Sequence, residues 1–143
     1  FVLDAHHHRV QVFDAEGRFL RKWGERGREL QHLSMPQDLV VGRDGSVWVA
    51  DRCGQNGCVG RDDVDPVMRF DRDGHLLRSF GRGSFVWPHG IFEDAEGNVW
   101  VTDARGDGRR GHQVHKFSPT GELLMSLGKP GVAGDGADEF NGP

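Results

Sequence analysis

Residues 36–51, PQDLVVGRDGSVWVAD, and residues 88–103, PHGIFEDAEGNVWVTD, are two copies of one pattern. Each begins at proline, runs through apolar residues, breaks at a turn closed by glycine and returns through Val-Trp-Val to aspartate. Trp48 matches Trp100 and Gly45 matches Gly97. Short β-rich runs around a tight, glycine-containing turn read as a hairpin. The copies differ at one position with chemical reach, where Gln37 stands opposite His89.

A second pattern alternates with the first. It occurs as RVQVFDAEGRFLRKWG (9–24), PVMRFDRDGHLLRSFG (66–81) and QVHKFSPTGELLMSLG (113–128). Phe13, Phe70 and Phe117 correspond, as do Gly24, Gly81 and Gly128. The opening FVLD looks like the tail of an earlier copy, and Pro143 like the first residue of a next one. The chain therefore holds about two and a half units of roughly 50 residues. Two hairpins per unit give a four-stranded antiparallel sheet, and such sheets at this period suggest β-propeller blades in an all-β fold. A β-sandwich is the alternative, but it does not demand such close repetition. The units divide the chain into 1–34 (the end of one blade), 35–86 (a second, with a cysteine loop), 87–140 (a third) and 141–143 (the start of the next).

Composition narrows the function classes. The chain has 143 residues, 36% hydrophobic and 28% charged, with a formal net charge of −4. These values fit one globular unit. No apolar run approaches a membrane-spanning helix, so no membrane partner is expected. The negative balance argues against nucleic acid, whose phosphates favour a basic face. HHHR (6–9) lies inside a repeat and is read as native sequence. Cys53 and Cys58, in CGQNGC, lack the second pair that a structural zinc site needs. A local disulfide is expected and would imply an extracytoplasmic compartment, periplasmic or secreted; two reduced thiols are the alternative.

Labelling the strands of a blade A to D, strand A starts after Pro-x-x at Leu39 or Ile91, and strand B ends at Asp51 or Asp103. The tight turns then share one face, while the Pro-x-x segments, the B–C loops and the D–A links share the other. Intervening lengths vary on that second face: 8 residues from Asp4 to Phe13, 18 from Asp51 to Phe70 and 13 from Asp103 to Phe117. Variable loops on a rigid scaffold are where binding residues gather. His89 lies there, as either a metal-ligating imidazole or a polar rim residue. His112 and His115, three apart on a strand, point to opposite faces. His75 sits in a turn and His6 to His8 in a loop, without assigned roles. The Asp-x-x-Gly segments read as β-turns, because DRDGHLLRSFG lacks the glutamate that an EF-hand loop needs. AGDGADE and RGDGRRG read as flexible glycine loops.

GNVWVTD followed by HQVHKFSPTGELLMSLG resembles the NHL-repeat pattern. FVWPHGIFEDAEGNVWVTD, with HQVHKFSPTGELLMSLGKPGVAGDGADEFNGP, is similar in particular to the peptidyl-α-hydroxyglycine α-amidating lyase branch. The resemblance implies a six-bladed propeller, of which about two and a half to three blades are present here. It also implies zinc held by three histidines from different blades, calcium deeper in the channel, and cleavage of peptidyl-α-hydroxyglycine to a peptide amide and glyoxylate. His89 matches the first zinc histidine. Arg52 matches an arginine that binds substrate and assists catalysis; otherwise it is a surface residue beside the cysteine loop. The carbonyls of Leu39 and Ile91 match calcium-binding positions. The remaining zinc ligands and a tyrosine would lie outside this chain, which has no tyrosine. A fragment of this kind exposes sheet edges and needs its remaining blades or a second copy, and alone it is expected to be inactive. The expected partner is a small peptide substrate. The rival reading is a non-catalytic NHL scaffold that binds protein or another ligand on its loop-rich face.

Overall fold

The computed structural model describes residues 1–27, 32–54 and 56–143. Its hairpins start from the turn glycines. Gly17, Gly45, Gly74, Gly97 and Gly121 all have φ between 80° and 92°, a region that strains any residue with a Cβ. Three of these turns open with aspartate, whose Oδ1 accepts backbone N–H groups across the turn. Asp14 receives Glu16 and Arg18, Asp71 receives Asp73 and His75, and Asp94 receives Glu96 and Asn98. The aspartates act as turn caps.

These turns fold the described residues into three antiparallel sheets. The first contains β1 (Val2–Asp4), β2 (Arg9–Phe13) and β3 (Phe19–Trp23). The second contains β4 (Pro36–Val41), β5 (Val47–Asp51), β6 (Val67–Phe70) and β7 (Leu76–Phe80). The third contains β8 (Pro88–Glu93), β9 (Val99–Gly106), β10 (Gly111–Phe117) and β11 (Leu123–Leu127). Each sheet is a meander in chain order, and β8 lies against β4 and β5 of the sheet before it. No α-helix occurs among the described residues, and no helix is long and apolar enough to cross a membrane.

Two expected strand limits are corrected. β4 and β8 start at the prolines themselves, not at Leu39 and Ile91, because Pro36 and Pro88 already pair with Asp51 and Asp103 ahead of a register irregularity. β9 does not stop at Asp103. It runs on to Gly106, which pairs with Gly111. RGDGRRG is therefore the tip of a β-ribbon, not a flexible loop: the Asp107 Oδ1 accepts the N–H groups of Arg109 and Arg110 at 2.9 and 2.8 Å. AGDGADE is also tied down. Ala133 bridges to Phe140, and Glu139 pairs with Lys129 at 2.8 Å.

The core follows strand alternation. Along β5, Val47 and Val49 pack towards the first sheet with Val10, Val12, Trp23, Met68 and Phe70. Trp48 and Ala50 point the other way and pack with Phe80, Phe85, Ile91, Val99, Val101 and Phe117 between the second and third sheets. The middle sheet is thus covered on both faces. On the third sheet, Val99 and Val101 are buried, whereas Phe92 and all of β11 are exposed.

Candidate functional site

The loop face is organised by two buried aspartates at equivalent places, Asp51 and Asp103. The Asp51 Oδ2 accepts the N–H groups of Ser34 and Met35 at 2.7 and 2.8 Å. Asp103 accepts those of Val86 and Trp87, one on each oxygen. Burial pushes both carboxyls up to about 6, against the pull of these donors. Each aspartate therefore fixes the residues that lead into the Pro-x-x segment of its own blade. For the third blade this places Trp87, and beyond it His89.

Trp87 is the centre of the site. The guanidinium carbon of Arg52 lies 3.1 Å from its ring centre and that of Arg105 4.1 Å away, and the His89 ring lies 5.3 Å away. Arg52, Trp87 and His89 are thus brought into one cluster from the end of β5 and the start of β8. Arg105 reaches it from the β-ribbon. The His89 imidazole is exposed.

Arg52 is not the surface residue that was the alternative. It is only 7% exposed. Its Nη1 donates to the Asn56 Oδ1 at 3.0 Å, and its Nε is buried without a partner among the described residues. No carboxylate pairs with it among the described ion pairs. Burial, then the nearby Arg105, lowers its pKa to about 10. A cation held out of water without a counter-charge is costly unless an anion completes it.

Cys53 and Cys58 form a disulfide, so the reduced alternative is set aside. The loop is stitched to the same cluster: Gly57 N–H donates to the Arg52 carbonyl at 3.1 Å, and Cys58 N–H to the Val86 carbonyl at 2.8 Å. A hollow of about 260 Å³ opens here, lined by Asn56, Gly57, Val59, Val86, Trp87 and Arg105, among others.

Leu39 and Ile91 lie deeper, on the first strands. Gly42 N–H bonds to the Ser46 carbonyl, and Asp94 N–H to that of Asn98. Antiparallel alternation then leaves Leu39 and Ile91 at non-hydrogen-bonded positions opposite Val49 and Val101. Their N–H and C=O groups consequently point off the free edges of β4 and β8. Both N–H groups are taken by one carboxylate: Asp38 Oδ1 accepts from Leu39 at 2.9 Å and Oδ2 from Ile91 at 3.0 Å.

Three members of this region were not singled out in the sequence. Asp38 has Gly90 as its counterpart, and Arg105 lies in a glycine-rich stretch without strand alternation. Trp87 stands where the second blade has Met35; its place directly before Pro-His-Gly was the available signal. The other histidines lie apart. His115 is buried, meets Phe85 edge-on at 5.1 Å and bonds Ser126 at 2.8 Å, while His112 is half-buried on the other face of β10.

No group of three or more His, Cys, Asp or Glu side chains among the described residues is arranged to hold a metal ion. His89 has the right chemistry for zinc but supplies one ligand, so these residues alone do not make a zinc site.

No protein-family profile matches the chain. It is 35% identical over 105 residues to NHL repeat-containing protein 3 of Mus musculus, covering 70% of this chain and 27% of that protein. It is 36% identical over 66 residues to peptidyl-α-hydroxyglycine α-amidating lyase 1 of Drosophila melanogaster, covering 44% of this chain and 11% of that one. The chain thus spans about a quarter or less of these relatives. Among solved structures, virginiamycin B lyase from Staphylococcus aureus superposes with a TM-score of 0.59 at 17% identity, over 87% of this chain and 35% of that chain. The three sheets are blades of a β-propeller. The blades resemble those of NHL repeat-containing proteins and of the amidating-lyase branch.

Proposed function

We propose that these blades form one side of a lyase site that cleaves the C–N bond of peptidyl-α-hydroxyglycine to a peptide amide and glyoxylate. The observation that carries this is the Arg52 guanidinium, buried and without a carboxylate partner among the described residues, pressed on Trp87 beside the exposed imidazole of His89. The similarity to an amidating lyase supports the same reading.

In this proposal Arg52 holds an anionic group of the substrate, its carboxylate or the oxyanion that develops as the hydroxyl proton leaves. The C–N bond then breaks, the carbinol carbon becomes the carbonyl of glyoxylate, and the amide nitrogen takes up a proton. Trp87 orients Arg52 and shields it from water. His89 would be one of three zinc ligands, with the rest from outside these residues; bound zinc would lower the pKa of the substrate hydroxyl. The carbonyls of Leu39 and Ile91, aimed off adjacent strand edges whose N–H groups both bond the Asp38 carboxylate, are proposed calcium ligands. Remaining blades would complete the set, and the disulfide suits an oxidising, extracytoplasmic compartment.

The second reading is a non-catalytic propeller that binds a protein or other ligand on this face. It is favoured by the greater share of the chain similar to NHL repeat-containing protein 3. The two are separated by metal content and lyase turnover of the complete propeller, alongside its His89→Ala variant. Stoichiometric zinc lost in the variant, with turnover reduced at least a hundredfold, supports the lyase. Absence of both zinc and turnover in the parent leaves the binding scaffold.

A further inference from the structure

We infer that the site takes a ligand with two acidic groups, and that Arg105 on the β9–β10 ribbon is the side chain that recognises the second. This rests on the lyase reading above, within which it names the substrate class: peptides whose residue before the reacting glycine is Asp or Glu.

The argument begins with charge. Arg52 and Arg105 both press on the Trp87 ring, so their guanidinium carbons are separated by no more than the sum of 3.1 and 4.1 Å. Neither forms an ion pair among the described residues, although carboxylates are taken by other arginines close by. Arg110 Nη1 pairs with Asp62 at 2.9 Å and Nη2 with Asp107 at 3.3 Å. Arg82 pairs with Asp65 at 2.8 Å. Two cations held this close repel each other unless anions lie between or beside them. One substrate carboxylate answers Arg52 and leaves Arg105 unanswered. A second carboxylate one residue away answers both.

The geometry presents Arg105 for this purpose. A bare loop would scatter an exposed arginine over many conformers, at a conformational cost on binding. Here the ribbon is fixed at both sides. Ala104 N–H donates to the Trp87 carbonyl at 3.1 Å, and Arg110 reaches across to Asp62 and the Gly83 carbonyl. Arg105 and Trp87 line the hollow together with Asn56, which also holds Arg52. The Trp87 Nε1 is buried there without a partner among the described residues.

The test uses the complete propeller and two short peptides that differ in one group, ending Glu-Gly and Gln-Gly, with affinities measured by calorimetry at low and moderate salt. We expect the Glu peptide to bind roughly three- to tenfold more tightly, with the ratio shrinking as salt rises. Arg105→Gln should bring the ratio close to one. Arg105 is exposed, so folding is retained. Arg109→Gln, an exposed position on the same ribbon, should leave the ratio intact. Equal affinities in the parent overturn the inference, as does a preference that survives Arg105→Gln or collapses equally with Arg109→Gln. Turnover of the α-hydroxyglycine forms separates the two readings. Turnover without a Glu preference sinks this inference alone, whereas a Glu preference in binding without turnover sinks the lyase reading alone.

Discussion

The second and third blades share the same hairpin, yet each solves one local problem differently. In the third blade, Asp94 opens the turn between β8 and β9. One of its oxygens caps two backbone N–H groups, and the other accepts the Trp100 indole N–H at 3.0 Å and pairs with Lys116 at 3.0 Å. Burial would raise this carboxyl, but the donors from Trp100, Lys116 and Asn98 hold it well below the usual carboxylate range. In the second blade the equivalent residue is Gly42, which has no oxygen to offer. Its place is filled from the neighbouring blade. Glu93 accepts the Trp48 indole N–H at 2.8 Å and the Arg43 backbone N–H at 3.1 Å. A Cβ on Gly42 would stand 2.5 Å from the Glu93 Oε2, so glycine leaves the gap that the glutamate occupies. One blade satisfies its tryptophan internally. The other uses that need to bind its neighbour.

The tryptophans give the largest expected effect. Trp48 is fully buried between two sheets, whereas Trp100 is half-buried. Trp48→Ala should cost about 3–5 kcal/mol of stability and Trp100→Ala at most about half of that, read from urea denaturation midpoints. Equal losses would mean that the third blade's outer face is covered in solution.

A smaller effect isolates the latch. Glu93→Ala should cost about 1–2 kcal/mol, since it strands the buried indole N–H of Trp48. Gly42→Asp alone should also destabilise, because it sets a second carboxylate against that of Glu93 and pushes Glu93 off Trp48. Combining the two should recover most of the loss, because the introduced carboxylate would then serve Trp48 as Asp94 serves Trp100. Simple additivity in this double-mutant cycle would show that the two positions do not share a site.

A separate effect concerns pH. Asp51 and Asp103 are both raised to about 6 by burial, above the ordinary value of 3.8. Their contribution to stability is therefore fully present below pH 3.8 and is lost as pH rises through about 6. Stability should fall between about pH 4 and pH 7, and Asp51→Asn should flatten that fall, because an amide does not ionise; the Ser34 and Met35 N–H groups, which both meet Oδ2, can still be served by the amide oxygen. Asp103→Asn should lose about 1 kcal/mol more, because its two donors use different oxygens. An unchanged pH profile in Asp51→Asn would mean that the N–H donors outweigh burial and keep the carboxylate charged.

The blade was legible in the sequence because its causes are local. Strand alternation, turn glycines and capping aspartates act over a few residues and recur with the repeat, so Trp48 and Trp100, or Gly45 and Gly97, could be matched by eye. His89 was legible for the same reason, as a chemical exception in a repeated frame, and so were the paired positions Leu39 and Ile91. Arg52 could be placed beside the cysteine loop, but not buried there. Its environment depends on Trp87, which lies 35 positions further along and is held by Asp103. The glycine-rich sequence around Arg105 reads as a loop, because only the pairing of Gly106 with Gly111 turns that segment into a ribbon aimed at Trp87. The same Val-Trp-Val sequence is wholly buried in one blade and partly exposed in the next. Side-chain periodicity determines which residues share a face of a strand. Whether that face is covered, and which charge is left without a partner beneath it, depends on the neighbouring blade.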